Sequence, residues 1–410
     1  MFHGWGLVSR GGNPVRKQME PIYNNILRIT SGAFRTSPIR ALCAESGMLP
    51  FELLACEKLV AKSSKVEEKK DLANFQDIWP ISLRAQKTFE GLVQERLPPV
   101  ETFPLPLRKS WNSPSASIDL TVKSQFKVGE PTSKAKAFFN HLVHQKYKNY
   151  KKMFTDGSVD ENGNVGIGLS TESINKCARL PTGCSIFSAE AKAICTALEM
   201  FDTEDNTIIF TDSASCISAI SSNVTKHPWI RRAQIEMEKK KVVLCWIPGH
   251  TGITGNEEAD TLANRGRNSQ ILHEKIAATD RISHCKRRLE TAWEMEWRGD
   301  RLTKLRKIKP STAAWEDQKE RKEQVILTRL RIGHTKLTHE WLLKREEQAL
   351  CQHCGTALSV QHILVECQEY ESVRKKIGLE QNLCEMLSYE KEREEKIFEF
   401  IKQVGLEGKI

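Results

Sequence analysis

The sequence predicts an α/β domain, a mixed five-stranded sheet flanked by helices, set between mostly helical N- and C-terminal regions, with a small zinc-binding element near the C-terminus. Three observations carry this. Short β-rich runs alternate with helical periodicity between residues 148 and 270. Helical spacing dominates on either side of that stretch. Cys351, Cys354, His362 and Cys367 sit at metal-ligand spacing.

A chain of 410 residues should hold two to four compact units, because a single core rarely grows past about 250 residues. Hydrophobic content of 39% is enough for real cores, and the net charge of +10 fits a polyanionic partner without establishing one. No apolar run approaches the roughly 18 residues of a membrane span. Met1 to Val8 lacks the charged start and long apolar core of a secretion signal. An intracellular location, nuclear and/or cytoplasmic, is therefore expected, and with it reduced thiols. Nine of the twelve cysteines are scattered singly and read as small buried hydrophobes. Nothing in the sequence speaks to oligomeric state.

Residues 1–95 read as helical. Pro21 to Ser31 places Ile22, Ile26 and Ile29 on one face, and Gly32 suits its C-terminal cap. Glu52 to Ala61 predicts a second helix, and the run Glu67 to Asp71 a solvated face. Pro98, Pro99, Pro104, Pro106 and Pro114, with serines from Ser110 to Ser117, mark a linker over 96–147. Proline fixes φ and removes a donor, which disfavours packed elements there.

Residues 148–270 carry the sheet. Met153 to Thr155 is a strand leading into the Asp160–Gly163 turn, whose Asn-Gly pair tolerates positive φ. Val165–Leu169 and Asn175–Leu180 read as the next two strands. Ser188 suits the N-cap of a helix to Phe201, with Ala189, Ala193, Ile194, Ala197 and Leu198 on its inner face. Thr207–Thr211 is a strand, Ser215–Ser221 and Pro228–Lys240 are helices, and Val242–Trp246 is the last strand. Asn256 caps a closing helix through Asn264. Three strands, helix, strand, helices, strand, helix make an α/β domain with a mixed sheet. Residues 271–345 return to basic helix, with a core stripe at Ile282, Cys285, Leu289, Trp293 and Trp297 and Gly333 capping a helix near Arg331. Residues 346–410 hold the cysteine cluster and a helical tail.

Five residues fall at element ends in the central domain. Asp156 ends the first strand and Asp212 the fourth. Glu190 lies in the first turn of one helix and Asp260 in the opening turns of the last, and His250 lies in the loop Trp246–Gly252. Taken singly each has a bland reading: a turn, a helix-start charge, a strand-end cap, a solvated helix residue, an exposed loop histidine. Taken jointly they put several carboxylates within reach of one place. Such packing is unfavourable unless cations neutralise it or pKa values rise. Mg²⁺ is the hard, oxygen-seeking candidate. Two ions about 4 Å apart can clamp the attacking water and leaving oxygen of a phosphoryl displacement.

Residues 150–266 resemble the type 1 ribonuclease H domain. Phe154-Thr155-Asp156-Gly157-Ser158, Ser188-Ala189-Glu190-Ala191 and Phe210-Thr211-Asp212-Ser213 are similar to its first three motifs. Trp246 to Gly252 and Asn256 to Asp260 are similar to the rest. The resemblance implies cleavage of the RNA strand of an RNA–DNA hybrid with two Mg²⁺ (Mn²⁺ serving in their place), leaving 3′-hydroxyl and 5′-phosphate ends. It implies that Asp156 bridges both ions, that Asp260 helps hold the ion activating water, and that Glu190 and Asp212 hold the other. His250 is then expected to assist proton transfer or product release, and 2′-hydroxyl contacts to select RNA. The long basic extension of some bacterial members is not evident between Asp212 and Val242. Arg231, Arg232 and Lys239 to Lys241 are candidate duplex contacts, with a solvated helix face as the competing reading. Two alternatives stand against the nuclease: a catalytically silent nucleic-acid-binding remnant, and an integrase or resolvase of related fold, whose site needs no match to the His250 loop.

Cys351, Cys354, His362 and Cys367 spell C-x2-C-x7-H-x4-C. Thiolate and imidazole are the ligands that zinc prefers, and four of them close one structural tetrahedron. His353 ranks behind His362 because it sits inside the CxxC turn. This element after a ribonuclease H-like domain resembles the C-terminal part of polyproteins of jockey-like non-LTR retrotransposons, and Leu27 to Pro38 resembles the region after their polymerase palm. No Asp-Asp pair occurs in the sequence, so no reverse transcriptase activity is expected.

Overall fold

Helical periodicity governs the chain before the sheet, giving α1 (Pro14–Ser31), α2 (Ile39–Ser46), α3 (Phe51–Glu67) and α4 (Phe75–Val93). Then come β1 (Ser117–Asp119), α5 (Thr121–Gln125), α6 (Thr132–Lys146), β2 (Lys151–Val159), β3 (Val165–Thr171), β4 (Asn175–Leu180) and α7 (Ile186–Met200). β5 (Thr207–Thr211), α8 (Ala214–Ser221), α9 (Pro228–Lys239), β6 (Val242–Trp246) and α10 (Thr254–Gly266) complete the central stretch. Downstream the chain is helical from α11 (Ala278–Gly299) through α12 (Leu305–Ile308), α13 (Arg321–Ile332) and α14 (Lys336–Lys344) to a last helix at Lys391–Gln403. The computed structural model describes residues 14–69, 75–104, 117–125, 131–204, 206–316, 320–379 and 382–410. The proline- and serine-rich stretch 105–116 lies outside the described residues.

The chain divides into two units, Leu59–Lys286 and Met1–Lys58 with Arg287–Ile410. These boundaries differ from the sequence-based ones near 95 and 270, since α1 and α2 group with the C-terminal helices.

In the central unit the sheet has six strands, not five, in the order β1-β6-β5-β2-β3-β4. β1, β6, β5 and β2 run parallel, while β3 and β4 run antiparallel to their neighbours. The added strand comes from the segment read as a linker. Its buried Asp119 accepts hydrogen bonds from Lys146 Nζ at 2.8 Å, Tyr147 Oη at 2.5 Å and the Thr121 backbone N–H at 2.8 Å. Residues 97–101 also dock on the unit: Leu97 and Val100 are buried, and the Glu101 N–H donates to Ile276 O. Glu67, read as part of a solvated run, receives the Arg281 guanidinium on both carboxylate oxygens.

Two apolar layers sandwich the sheet, as the alternation of a strand requires. Ile209 and Leu244 face α7 and α9, while Ile208, Phe210 and Cys245 face Val122, Phe139, Leu142 and Tyr147 from α5, α6 and the turn after it. α10 lies against β2, β3 and β4. It sits that close because Gly166 and Gly168 carry no side chain: a Cβ on Gly168 would lie 2.1 Å from Ala259 O. Backbone cannot yield as a side-chain tip can, so Gly168→Ala is expected to destabilise the unit by at least about 1–3 kcal/mol, the usual overpacking range. Denaturant unfolding of the variant checks this.

In the other unit Cys285's successors on α11, Leu289, Trp293 and Trp297, are buried as expected. Arg331 is buried between Glu394 at 2.8 Å and Glu45 at 3.6 Å. Ile22, Ile26 and Ile29 are more than half exposed, and Leu27 of α1 is buried. Gly32 and Gly333 both adopt positive φ at helix ends, as their caps require.

Candidate active site

Two parallel strands deliver the first residues of the site. β2 pairs with β5 from Lys151↔Thr207 to Phe154↔Phe210, and continuing that register by two residues sets Asp156 opposite Asp212. Asp212 follows the end of β5, as expected. Asp156 does not end its strand: β2 runs on to Val159, with Asp156 paired to Gly168 of β3. The glycine after it serves packing, not a turn, since a Cβ on Gly157 would lie 2.7 Å from Glu190 N. That contact presses the start of α7 onto β2. α7 begins one turn earlier than its sequence suggests: Ser185 is the N-cap, accepting from the Ser188 N–H at 3.2 Å. Ser188 instead turns inward to the ring of His227, with Oγ 2.8 Å from Nε2.

Asp156, Glu190 and Asp212 bring one carboxylate oxygen each within 4.8 Å of one another. Asp156 and Glu190 are each 7% exposed. Burial first, and then the charges of Asp212 and Asp260, push the Asp156 carboxyl up to about 7. Burial, followed by Asp156 and Asp212, raises Glu190 well above the usual carboxylate range. Burial also raises Asp212, against a hydrogen bond from the Asn256 side chain and the nearby His250. Glu190 Oε2 is buried with no hydrogen-bond partner. Crowded carboxylates with an orphaned oxygen fit a bound divalent cation, which supplies the missing partner and removes the repulsion.

Asp260, on the second turn of α10, lies outside that trio but acts on Asp156 electrostatically. A relay fixes it: Ser158 Oγ donates to Asn264 Oδ1 at 2.8 Å, and Asn264 Nδ2 donates to Asp260 Oδ1 at 3.0 Å. His250 is exposed and stands at φ 53° in a loop tied by Thr251 Oγ1 to Pro248 O and by the Gly252 N–H to Glu257. Gly249 is required beside it, because a Cβ there would lie 2.4 Å from Asp212 Oδ2.

Four positioning groups escaped the sequence reading. Asn256 was expected to cap α10, yet it is buried and donates to Asp212. Asn264 had a usable signal, four residues past Asp260 on the same helix face. Gly157 and Gly249 had none, because only the folded chain shows what a Cβ would meet. The expected duplex contacts are mostly engaged. Arg231 is buried, Lys240 donates to Leu198 O and Phe201 O, and Lys239 and Lys241 pair with Glu236 and Glu204.

Near the C-terminus Cys351, Cys354, His362 and Cys367 converge in the same sense, their ligand atoms within 4.8 Å. Cys367 Sγ lies 3.8 Å from both Cys351 Sγ and Cys354 Sγ. Zinc–sulfur bonds of about 2.3 Å at a tetrahedral angle give a spacing of about 3.8 Å. His362 Nε2 is buried with no partner, while Nδ1 is 3.2 Å from Thr356 Oγ1. The Cys354 N–H and then the His362 ring draw the Cys351 thiol down to about 6, toward the thiolate that metals require. His353 is exposed and outside the group.

Residues 148–268 match the family model described as RNase H. The chain is 32% identical over 139 residues to Ribonuclease H1 of Homo sapiens, covering 28% of this chain and 49% of that protein. It is 34% identical over 117 residues to the Pol polyprotein of equine infectious anemia virus (strain Wyoming), covering 27% of this chain and 10% of that protein. The chain thus spans about half the length of the first relative and a tenth of the second.

Proposed function

We propose that the RNase H domain formed by residues 148–268 is an endonuclease that hydrolyses the RNA strand of RNA–DNA hybrids. The observation that carries this is the convergence of buried Asp156 and Glu190 with Asp212 beside the His250 loop. Asp156, Glu190, Asp212 and Asp260 are the residues that would hold two Mg²⁺, with Mn²⁺ able to serve instead. Such ions, when bound, activate water and stabilise the leaving oxygen of a phosphoryl displacement. Asp156, a member of the trio that also feels the charge of Asp260, would serve both halves of the site. Asn256 orients Asp212, and Asn264 orients Asp260, so each offers its remaining oxygen in a fixed direction. His250, exposed beside Asp212, is placed to carry a proton to or from the departing strand. RNA selection rests on 2′-hydroxyl contacts. In a gel assay with Mg²⁺, the full chain is expected to cut the RNA strand of a labelled hybrid and leave an all-DNA duplex intact. Absence of RNA cleavage refutes the enzyme.

Cys351, Cys354, His362 and Cys367 are proposed to hold one structural Zn²⁺. A closed set of three thiolates and one imidazole leaves no open position, so the ion would supply folding energy rather than chemistry. Metal analysis of the purified full chain should find about one Zn²⁺ per chain. Cys351→Ser should lose it, and a zinc-free wild type would sink the assignment. We further propose an origin in a jockey-like retroelement, for which the cysteine cluster downstream of the RNase H domain is the support.

A further inference from the structure

Most of the cations that the sequence offers for duplex binding already have partners: Arg231 is buried, Lys240 holds two backbone carbonyls, and Lys239 and Lys241 pair with surface glutamates. The stretch from Pro131 to Lys152 contains six lysines and two histidines and no acidic residue. Its helix α6 lies wholly outside residues 148–268. Yet α6 packs Phe139 and Leu142 onto the sheet beside Ile247 and Ile253, which bracket the His250 loop. On that loop, a Cβ on Gly252 would lie 4.0 Å from Lys136 Cδ. One element away, Lys123 Nζ sits 5.9 Å over the Trp246 ring, at the strand end that leads into the same loop. Lys123 and Lys136 are both exposed, and among the described residues neither has an acidic partner within ion-pair distance. By contrast Lys146 is spent on Asp119 and Lys152 on Glu172. Exposed lysines without an acidic partner among the described residues, on two helices beside the His250 loop that themselves carry no acidic residue, suit a phosphodiester backbone.

We infer that α5 and α6 are a basic wing of the active site, with Lys136 and Lys123 binding backbone phosphates of the nucleic-acid substrate alongside the His250 loop. This rests on the nuclease reading for the identity of the substrate, but not on turnover. The wing does what a basic insertion between Asp212 and Val242 would otherwise do, from the opposite side in sequence.

The test measures binding of a short labelled RNA–DNA hybrid to the full chain carrying Asp156→Asn, across a salt series. Adding Lys123→Ala and Lys136→Ala should weaken binding several-fold per lysine at about 0.1 M salt. It should also lower the slope of log affinity against log salt by about 0.9 for each phosphate that is no longer neutralised. Lys176→Ala, an exposed lysine on the opposite sheet edge, is the control and should change neither. Normal hybrid binding with an unchanged slope in the double variant overturns the wing alone. An equal loss from Lys176→Ala overturns it too, since the effect is then one of net charge. Failure of the Asp156→Asn protein to bind hybrid at all overturns the wing, while the nuclease reading stands or falls on cleavage of the hybrid by wild type. Cleavage by wild type with slopes insensitive to Lys123 and Lys136 leaves the nuclease standing and removes the wing.

Discussion

Asp156→Asn is expected to abolish cleavage of the hybrid and, in chelator, to make the protein harder to unfold. The two effects have one cause. Asp156 is buried among Glu190, Asp212 and Asp260, and its carboxyl is pushed up to about 7 by burial and by the charges of Asp212 and Asp260. An unfolded aspartate titrates near 3.9. The folded protein therefore holds this proton more tightly than the unfolded chain. The associated stability is fully present below about pH 4 and is lost as pH rises through about 7. At the limit the loss is on the order of 4 kcal/mol, at 1.36 kcal/mol per pKa unit. Asparagine keeps the shape and removes the charge, so the variant should lack most of that decline between pH 4 and 8. Mg²⁺ should stabilise wild type strongly and the variant weakly, because a ligand that binds only the folded state shifts unfolding by mass action. For activity, loss of merely a second-layer partner of a metal ligand costs about 10–100-fold. Removing the ligand placed to serve both halves of the site should exceed that range. Cleavage rates of the variant within tenfold of wild type, or a metal-free stability no greater than wild type's at pH 8, would refute the placement of Asp156 at the centre of the site.

Much of this site could be read before folding. Asp212 and Asp260 stand where strand end and helix start put them, and β4, β5 and β6 span the residues their β-rich runs suggest. Asp156 was placed correctly in space for an imperfect reason. Its Asp-Gly pair has the composition of a turn, but the strand continues because β3 pairs with it beyond β5. Ser188 and Ser185 are equally good caps by residue type, and only the inward pull of His227 on Ser188 separates them. The largest omission was β1 with α6. Prolines and serines in 98–117 drew the whole segment into a linker, and a three-residue strand carries no periodicity of its own. The helix did carry a signal: Ala135, Phe138, Phe139 and Leu142 follow the i, i+3, i+4, i+7 pattern of a buried face. The zinc-type cluster was legible from spacing because close ligand pairs along the chain constrain geometry more than distant carboxylates do.

That omitted helix predicts the largest effect on folding outside the site. Phe139→Ala in the full chain should lower the unfolding free energy of the central unit by about 3–5 kcal/mol, the usual cost of deleting a buried phenylalanine. Phe139 is 8% exposed. Its ring meets Phe210 edge-on with centroids 5.1 Å apart and lies 6.1 Å from Phe154, and Phe154 and Phe210 stack at 4.9 Å. These two rings sit just before Asp212 and Asp156 on neighbouring strands. The cavity left by Phe139 thus opens beneath the segment that sets the spacing of both carboxylates. If α6 were only an appendage to residues 148–268, its removal would leave the unit intact, and the substitution would cost less than about 0.5 kcal/mol, as surface changes do. The opposite is expected because Ile208, Phe210, Cys245 and Ile247 face α5 and α6 and no longer meet a complete partner surface. Denaturant unfolding decides it through a lowered midpoint at unchanged slope. A midpoint equal to that of wild type would mean that the sheet's second face is covered without Phe139, and would return α6 to the role of a linker.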